Sequence, residues 1–386
     1  MAAAGAHPQH PQRAILEALL TDLYASPVRV DTWGRLEPWA VARATLRGAV
    51  AVPRSVVVKW VRSCPGGTRT EPWRLRAELA ALRFLSDDLG LSLAPRVLAA
   101  DLPKGLLVLE DLAPRTALDH LLRRDGAEAH ADRLAEFARA RGALNAATAG
   151  HAGIYRARRT SLGPVDPPSD HVGRFARFRH EAYGHATTLG APLTGPVESE
   201  LGAALAELSE PGPFLALSNG DAEANNVLLH ESGPADARLI DFESAGYTHA
   251  LADAVCLHVP GPAWMTVGDP VATGLAGHYR RALADGVPEA EDDRRYGFGL
   301  AAGCVFWAIA RLQRFALLDA RAPGDDSRPQ LVETLEAAAR TADSHRALPH
   351  LAGWARRTAG VLRRRWPDAD LDFTDPAAFP PYTARR

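Results

Sequence analysis

Residues 217–243 decide the reading. They run Leu217-Ser218-Asn219-Gly220-Asp221-Ala222-Glu223-Ala224-Asn225-Asn226-Val227-Leu228-Leu229, then a polar stretch from His230 to Ala237, then Arg238-Leu239-Ile240-Asp241-Phe242-Glu243. Val227–Leu229 is a short apolar strand, and Arg238–Ile240 is a second. Glu231, Ser232, Gly233, Pro234 and Asp236 between them make a turn. Paired as a hairpin, the start of the first strand meets the end of the second. Asn226 and Asp241 are then expected to face each other, roughly 5 Å apart between Cα atoms. One offers a carbonyl oxygen and the other a carboxylate, both hard oxygen ligands of the kind Mg²⁺ takes. Reading Asp241 as a loop cap and Asn226 as a turn residue leaves the clustering of three polar groups at hairpin ends unexplained.

Rarity sharpens the focus on this window. The chain has four asparagines, and Asn219, Asn225 and Asn226 fall within eight residues; the fourth is Asn145. Of 44 basic residues only Lys59 and Lys104 are lysine. Abundant Ala, Arg, Gly and Pro point to a GC-rich coding sequence, so a retained lysine marks a place where arginine does not serve. Lys59 lies inside Val56-Val57-Val58-Lys59-Trp60-Val61, a β-branched run suited to a buried strand. A helix is expected from Pro72, with Leu75, Leu79, Leu82, Leu85 and Leu89 at helical spacing and Gly90 to end it. Glu78 sits on that apolar stripe. A carboxylate there is costly without a partner, and Lys59 is the natural one.

The remaining chain supplies the frame. Ile15–Tyr24 reads as a short amphipathic helix, Val28–Val61 as strand-like, Ser63–Thr70 as a loop and Gly105–Leu109 as a buried strand. Beyond Pro114 helical patterns dominate: Thr116–Arg124, Glu128–Ala149, Val172–Leu189, Val271–Ala284, Asp292–Ala320, Leu331–Ala347 and Leu351–Arg364. A Pro-rich loop, Gly163–Ser169, interrupts them, and the tail after Trp366 is Pro- and Asp-rich.

Composition excludes several classes. The 386 residues are 47% hydrophobic and 23% charged, ordinary for a soluble globular protein. That length suggests two domains or one bilobed unit. Net charge is −2 and the pI about 6.7, so nucleic acid is not an expected partner. Cys64, Cys256 and Cys304 are too few for a disulfide framework. The N-terminus lacks the apolar run of a signal peptide. The longest apolar stretch, Tyr296–Ala310, is short of a membrane span. A reduced, cytoplasmic, soluble protein is expected, with no membrane partner. No GxxxxGK, GxGxxG, GxSxG, HExxH or CxxC motif occurs. Cys256 and His258 read as a core cysteine beside a histidine, not a metal pair.

Asp221 and Asn226 have the D-x-x-x-x-N spacing of a phosphoryl-transfer loop, and a strand lysine paired with a helix glutamate is how kinases hold ATP phosphates. With Val57-Val58-Lys59, Ala77-Glu78, Leu107-Val108-Leu109-Glu110-Asp111-Leu112, Asn219-Gly220-Asp221 and Ile240-Asp241-Phe242-Glu243 in order, the chain resembles the aminoglycoside phosphotransferase and choline kinase-like family. That resemblance implies an α+β, bilobed, protein kinase-like fold. Residues 1–110 would form the N-lobe, 111–114 the hinge and 115–386 a helical C-lobe. It implies ATP and Mg²⁺ as cofactors. Lys59 would contact the phosphates, Glu78 would orient it, and Glu110 and Leu112 would offer backbone groups to adenine. Asp221 would be the catalytic aspartate; Asn226 and Asp241 would hold Mg²⁺.

Two departures stand out. Asn219 occupies the place of the family's histidine, whose scaffold role needs a hydrogen bond to backbone near the metal-binding aspartate. No Gly-rich loop is present, leaving Trp33-Gly34-Arg35 or Arg47-Gly48 to cover the phosphates. The substrate is expected to be a small, cationic molecule bearing a hydroxyl, aminoglycoside-like or an amino alcohol. Between Asp221 and Pro260 there are seven acids and one base. Of these acids, Glu223 and Glu243 are the candidate contacts for the cation. Trp307 and Arg311 are weaker candidates on a long helix, and Arg311 would suit an acidic group instead. Asp253, where a helix would start, is expected to tie the loop to a helix. The alternatives are a pseudokinase that binds nucleotide without turnover and, last, a protein kinase, which would need a Gly-rich loop, Asp-Phe-Gly and Ala-Pro-Glu.

Overall fold

A computed structural model describes residues 11–36, 40–61, 72–163, 183–260, 269–325, 327–372 and 375. Cys64, the loop expected at Ser63–Thr70 and most of the helix expected at Val172–Leu189 lie outside the described residues. The α+β class holds, with an antiparallel sheet early in the chain and helices dominating later. Two compact units are distinguishable. The first comprises Met1–Pro114, Ile154–Asp166 and Asp241–Ser244, and the second the remainder.

In the first unit, β1 (Arg29–Arg35), β2 (Val41–Arg47), β3 (Ser55–Trp60), β4 (Val97–Asp101) and β5 (Leu106–Glu110) form one sheet. Its order is β1-β2-β3-β5-β4, with every pair antiparallel. The strand-like stretch from Val28 to Val61 thus resolves into three strands. Side chains alternate across β3: Val56, Val58 and Trp60 are buried with Val30, Ala42, Ala44, Leu106 and Val108, against Leu16 and Leu20 of α1 (Pro11–Tyr24). Lys59 therefore faces the opposite side, that of α2 (Pro72–Arg83), where Leu75, Leu79 and Leu82 are buried with Glu78. The α2 helix runs on into a single π-helical turn, Phe84–Asp88, and Gly90 follows at φ 64°, a conformation glycine adopts without strain. Phe84 packs edge-on against Tyr155 at 5.7 Å, and Asp88 pairs with Arg158 at 2.6 Å.

The second unit is built on helices. Segments α3 (Leu118–Asp125), α4 (Ala131–Thr148), α6 (Gly195–Ser209), α7 (Val255–His258), α8 (Leu275–Ala284), α9 (Asp293–Arg311), α10 (Phe315–Asp319), α11 (Ser327–Ser344) and α12 (Pro349–Arg365) are described; α5 (Ala152–Ser161) bridges the division between units. The α4 helix packs on α8, α9 on α11, and α11 on α12. The apolar run Asp293–Asp319 is long and apolar enough to cross a membrane, but 61% of its most apolar window is buried inside the fold, as in a core helix. Three short strands, β6 (Thr116–Ala117), β8 (Val227–Leu229) and β9 (Arg238–Leu239), make one sheet, while β7 (Leu215–Ser218) and β10 (Gly246–His249) pair in another.

Several boundaries differ from expectation for local reasons. Thr116 and Ala117 pair with Leu229 and Leu228 before α3 begins. Helix α8 starts at Leu275, not Val271. The Asp269 carboxylate accepts from the backbone N–H groups of Val271 and Ala272 and holds a turn, and Gly274 takes φ 78°. Helix α6 carries Pro196 in its first turn, a position proline favours, and Gly202 within, which weakens the local helical preference.

Gly142 lets α4 and α8 approach closely. A Cβ there would collide with the Tyr279 carbonyl oxygen and stand 3.0 Å from the Ala282 Cβ. Gly142→Ala is expected to cost about 1–3 kcal/mol by overpacking. Urea denaturation measures it, and a loss below about 0.5 kcal/mol would show that the two helices part freely.

Candidate active site

In the first unit, Lys59 Nζ donates to Glu78 Oε1 at 2.7 Å and Oε2 at 2.9 Å, and to Asp241 Oδ1 at 2.8 Å. The lysine side chain is 15% exposed, Glu78 2% and Asp241 37%. The expected Lys59–Glu78 partnership is thus present, with Asp241 as a third member. Burial works against the Lys59 ammonium, but Asp241 and Glu78 more than offset it and hold its pKa above the ordinary value. Burial pushes the Glu78 carboxyl up to about 7, against the pull of Lys59.

Glu243, two residues on, is engaged by Arg74 at 2.8 Å. Glu110 donates its backbone N–H to the Arg96 carbonyl, and its carboxylate accepts from the Arg96 N–H at 3.2 Å. Leu112 is buried. The sheet register separates the two stretches offered for phosphate cover. Lys59 pairs with Val41 and Arg35 with Ala42, so Trp33–Arg35 lies at the Lys59 end of the sheet. Arg47 pairs with Arg29 at the other end.

The second unit holds Asp221, Glu223 and Asn226 on the loop after β7. Asn226 is 4% exposed, and its Nδ2 donates to the Asp221 carbonyl at 3.0 Å. Its Oδ1, the end left for a metal, accepts from Asn225 Nδ2 at 3.1 Å. Asp221 itself is exposed. The hairpin forms, with Val227 opposite Leu239 and Leu228 opposite Arg238. The Ile240 N–H donates to the Asn226 carbonyl at 3.0 Å, so Ile240 stands opposite Asn226. This corrects the expected Asn226–Asp241 pairing by one residue. Asp241 is the next residue and leaves the strand at φ 61°, a left-handed conformation costly for a non-glycine residue.

The loop is tied down by groups on α4. Asn145 Nδ2 donates to the Leu217 carbonyl at 3.0 Å and to Asp253 Oδ2 at 3.2 Å. Asp253 Oδ1 accepts from Ser218 Oγ at 2.5 Å, and Ser218 Oγ accepts from the Gly220 N–H at 2.9 Å. Tyr279 Oη donates toward Asn145 Oδ1 at 2.7 Å. Asp253 thus ties the loop to helix α4, through Ser218 on one side and Asn145 on the other; the residue preceding α7 is Ala254. Burial raises the Asp253 pKa, against Arg141, Ser218 and Asn145. The rarity of asparagine singled out Asn145 without saying where it points; nothing in the sequence distinguished Ser218, Tyr279 or Arg141.

Asn219 is fully buried. Its Nδ2 donates to the Ile240 carbonyl at 2.9 Å, a backbone oxygen directly before Asp241. The asparagine thus makes a bond of the kind asked of the family's histidine.

Beside Asp221 opens a cleft lined among others by Glu223, Cys256, Phe306 and Trp307. Enclosure and the neighbouring Asp221 push the Glu223 carboxyl up to about 8, against Arg311 and Arg141. Trp307 Nε1 donates to the Pro260 carbonyl at 3.4 Å. Arg311 does not line the cleft; its guanidinium stands 5.8 Å from the Trp307 ring centroid and reaches Gln330 at 3.5 Å. Among the described residues no group of three or more His, Cys, Asp or Glu is arranged to hold a metal ion. The donor set on offer is instead one amide oxygen and one carboxylate, chemically suited to Mg²⁺.

Solved structures similar to this chain include choline kinase LicA from Streptococcus pneumoniae, 13% identical over 86% of this chain and 100% of its own, TM-score 0.45. Ethanolamine kinase from Plasmodium vivax is 10% identical over 92% of this chain and 91% of its own, TM-score 0.48. Macrolide 2′-phosphotransferase MphH from Brachybacterium faecium is 16% identical over 85% and 97%, TM-score 0.42. No curated protein sequence matches. Residues 54–298 match the model of the phosphotransferase enzyme family, a span that includes Lys59, Glu78, Asp221, Asn226 and Asp241. The chain belongs to the phosphotransferase enzyme family.

Proposed function

We propose that this small-molecule phosphotransferase moves the γ-phosphoryl group of ATP, with Mg²⁺, to a hydroxyl of a small cationic acceptor. The observation that carries the reading is the Lys59 ammonium held by Glu78 and Asp241 within 2.7–2.9 Å. That pairing fixes a cation on a strand, where phosphate oxygens need one. On this reading residues 1–110 bind the nucleotide, 111–114 link, and 115–386 carry the acceptor site. Glu110 and Leu112 would offer backbone groups to adenine. Trp33-Gly34-Arg35 would cover the phosphates, because this stretch lies at the Lys59 end of the sheet.

Asp221 would accept the proton of the acceptor hydroxyl as its oxygen bonds to the γ-phosphorus and the bond to the β-phosphate oxygen breaks. Asn226 and Asp241 would hold the Mg²⁺, which would neutralise charge on the phosphate oxygens. Lys59 would add a second positive charge. The rest of the work is positioning. Glu223 is the stronger candidate for an amine on the acceptor, since it lines the cleft with Asp221, while Glu243 is already engaged by Arg74. Trp307 would offer an aromatic face, and Arg311 stands behind it rather than in the cleft. A cytoplasmic location fits the use of ATP.

The test is ADP release with MgATP and pooled hydroxylated amines and sugars. One pool is expected to stimulate release. Asp221→Asn is expected to lower stimulated turnover by about 100-fold or more, and Lys59→Met by about 100–1,000-fold. Full activity in either variant, or absence of ATP binding in the wild type, would sink the reading.

A pH test addresses Glu223 separately. Its folded pKa of about 8 lies above the unfolded value of about 4.3. Between these values the folded state binds more protons than the unfolded state, so this group's contribution to stability falls as pH rises. Glu78, at about 7, acts in the same direction. Glu223→Gln is therefore expected to flatten, not abolish, the fall in thermal stability from pH 5 to 8. An unchanged slope would mean Glu223 titrates as in water.

A further inference from the structure

Arg141 on α4 is a fully buried guanidinium. Its Nη1 donates to Asn219 Oδ1 at 2.7 Å, and its Nη2 to the Glu223 carbonyl at 3.5 Å. It lies 5.5 Å from the Phe137 ring centroid, and among the described residues its Nε has no hydrogen-bond partner. A cation so placed, spending its donors on neutral oxygens of one loop, is costly as a mere packing element.

Its effect falls on Asn219. The two ends of an asparagine amide have nearly the same shape but opposite polarity. Asn219 Oδ1 accepts from Arg141 and from the Asp221 N–H at 3.3 Å, leaving Nδ2 to donate to the Ile240 carbonyl at 2.9 Å. Flipping the amide would set its NH₂ against a donor-only guanidinium and its oxygen against a carbonyl. Arg141, the closer of the two donors to Oδ1, adds a charged donor to the Asp221 N–H and the Ile240 carbonyl in holding this orientation. The Ile240 carbonyl belongs to the peptide that leads into Asp241, whose left-handed φ of 61° needs holding. Asp241 in turn meets Lys59 at 2.8 Å.

We propose that Arg141 is a positioning residue: it locks the Asn219 amide in the orientation that bonds the Ile240 carbonyl, and so sets Asp241. The inference rests on the functional reading above for what Asp241 then does, but not for the lock itself. On this reading asparagine and arginine share the histidine's work, Arg141 supplying the charged donor that firms the amide's orientation.

The test uses the full chain. Asn219→Asp keeps the oxygen that accepts from Arg141 and gains a counter-ion for it, but loses the donor to Ile240. Its unfolding midpoint is expected within about 2 °C of wild type or higher, while kcat for ADP release from MgATP falls at least tenfold with KM for ATP within threefold. Arg141→Met is expected to lower kcat similarly, and Arg141→Lys to restore part of the loss. Arg141→Met with Asn219→Ala is expected to be no worse than the worse single variant.

Losses that multiply, or an unimpaired Asn219→Asp, would overturn the proposal. Asp221→Asn run in parallel separates the two claims, since its retention of turnover defeats the functional reading alone. Should wild type release no ADP, the thermal shifts of the same double-mutant cycle decide. Shifts that do not add support the lock, and additive shifts overturn it.

Discussion

A single ammonium group between two carboxylates organises the first unit. Lys59 has to be on the sheet face away from the α1 core, because alternation along β3 gives Val56, Val58 and Trp60 to that core. Once there, it needs Glu78, and Glu78 on a buried helix stripe needs it. Burying these charges costs several kcal/mol per ion, on the order of what their attraction returns. Apolar side chains of similar volume would pack there at no greater cost. The triad thus adds little net stability while fixing a cation on the sheet.

The second unit meets a different constraint. Its loop from Ser218 to Asn226 must expose Asp221 while its backbone stays rigid. Buried polar groups supply that rigidity. Asn145, Ser218, Asp253 and Tyr279 satisfy one another, and each bond is made in surroundings where an unmet donor would be penalised. All four asparagines of the chain take part in this region. The amide side chain suits the task because it donates and accepts at fixed angles from one short, neutral group.

Much of this was legible before any coordinates. Composition made Lys59 conspicuous, helical spacing placed Glu78 beside an apolar stripe, and a five-residue interval tied Asp221 to Asn226. The hairpin was legible too, but not its register to one residue, because Asp241 leaves the strand through a left-handed conformation that no residue type announces. Helix α6 went unread although Pro196 in its first turn favours a start, while Gly202 within it has a local preference that packing overrides. Arg141 was invisible for a statistical reason: it is one of 42 arginines. Asn145 stood out by rarity, yet its partner Leu217 lies 72 residues away, beyond the reach of local pattern.

The distribution of charge around Asp221 bears on the acceptor itself. Glu223 lies in an enclosed cleft and resists ionisation at neutral pH, held at about 8. A carboxyl in that state gains most from a ligand that brings one positive charge, since binding then ionises it and forms a pair in place of solvent. Asp221 and Asp253 line the same cleft, while Arg141 and Arg311 act electrostatically on Glu223. The walls offer Phe306, Trp307 and Cys256, surfaces for an apolar body. On the function proposed, an amine of the acceptor would meet Glu223 while an apolar part of it would meet Phe306 and Trp307.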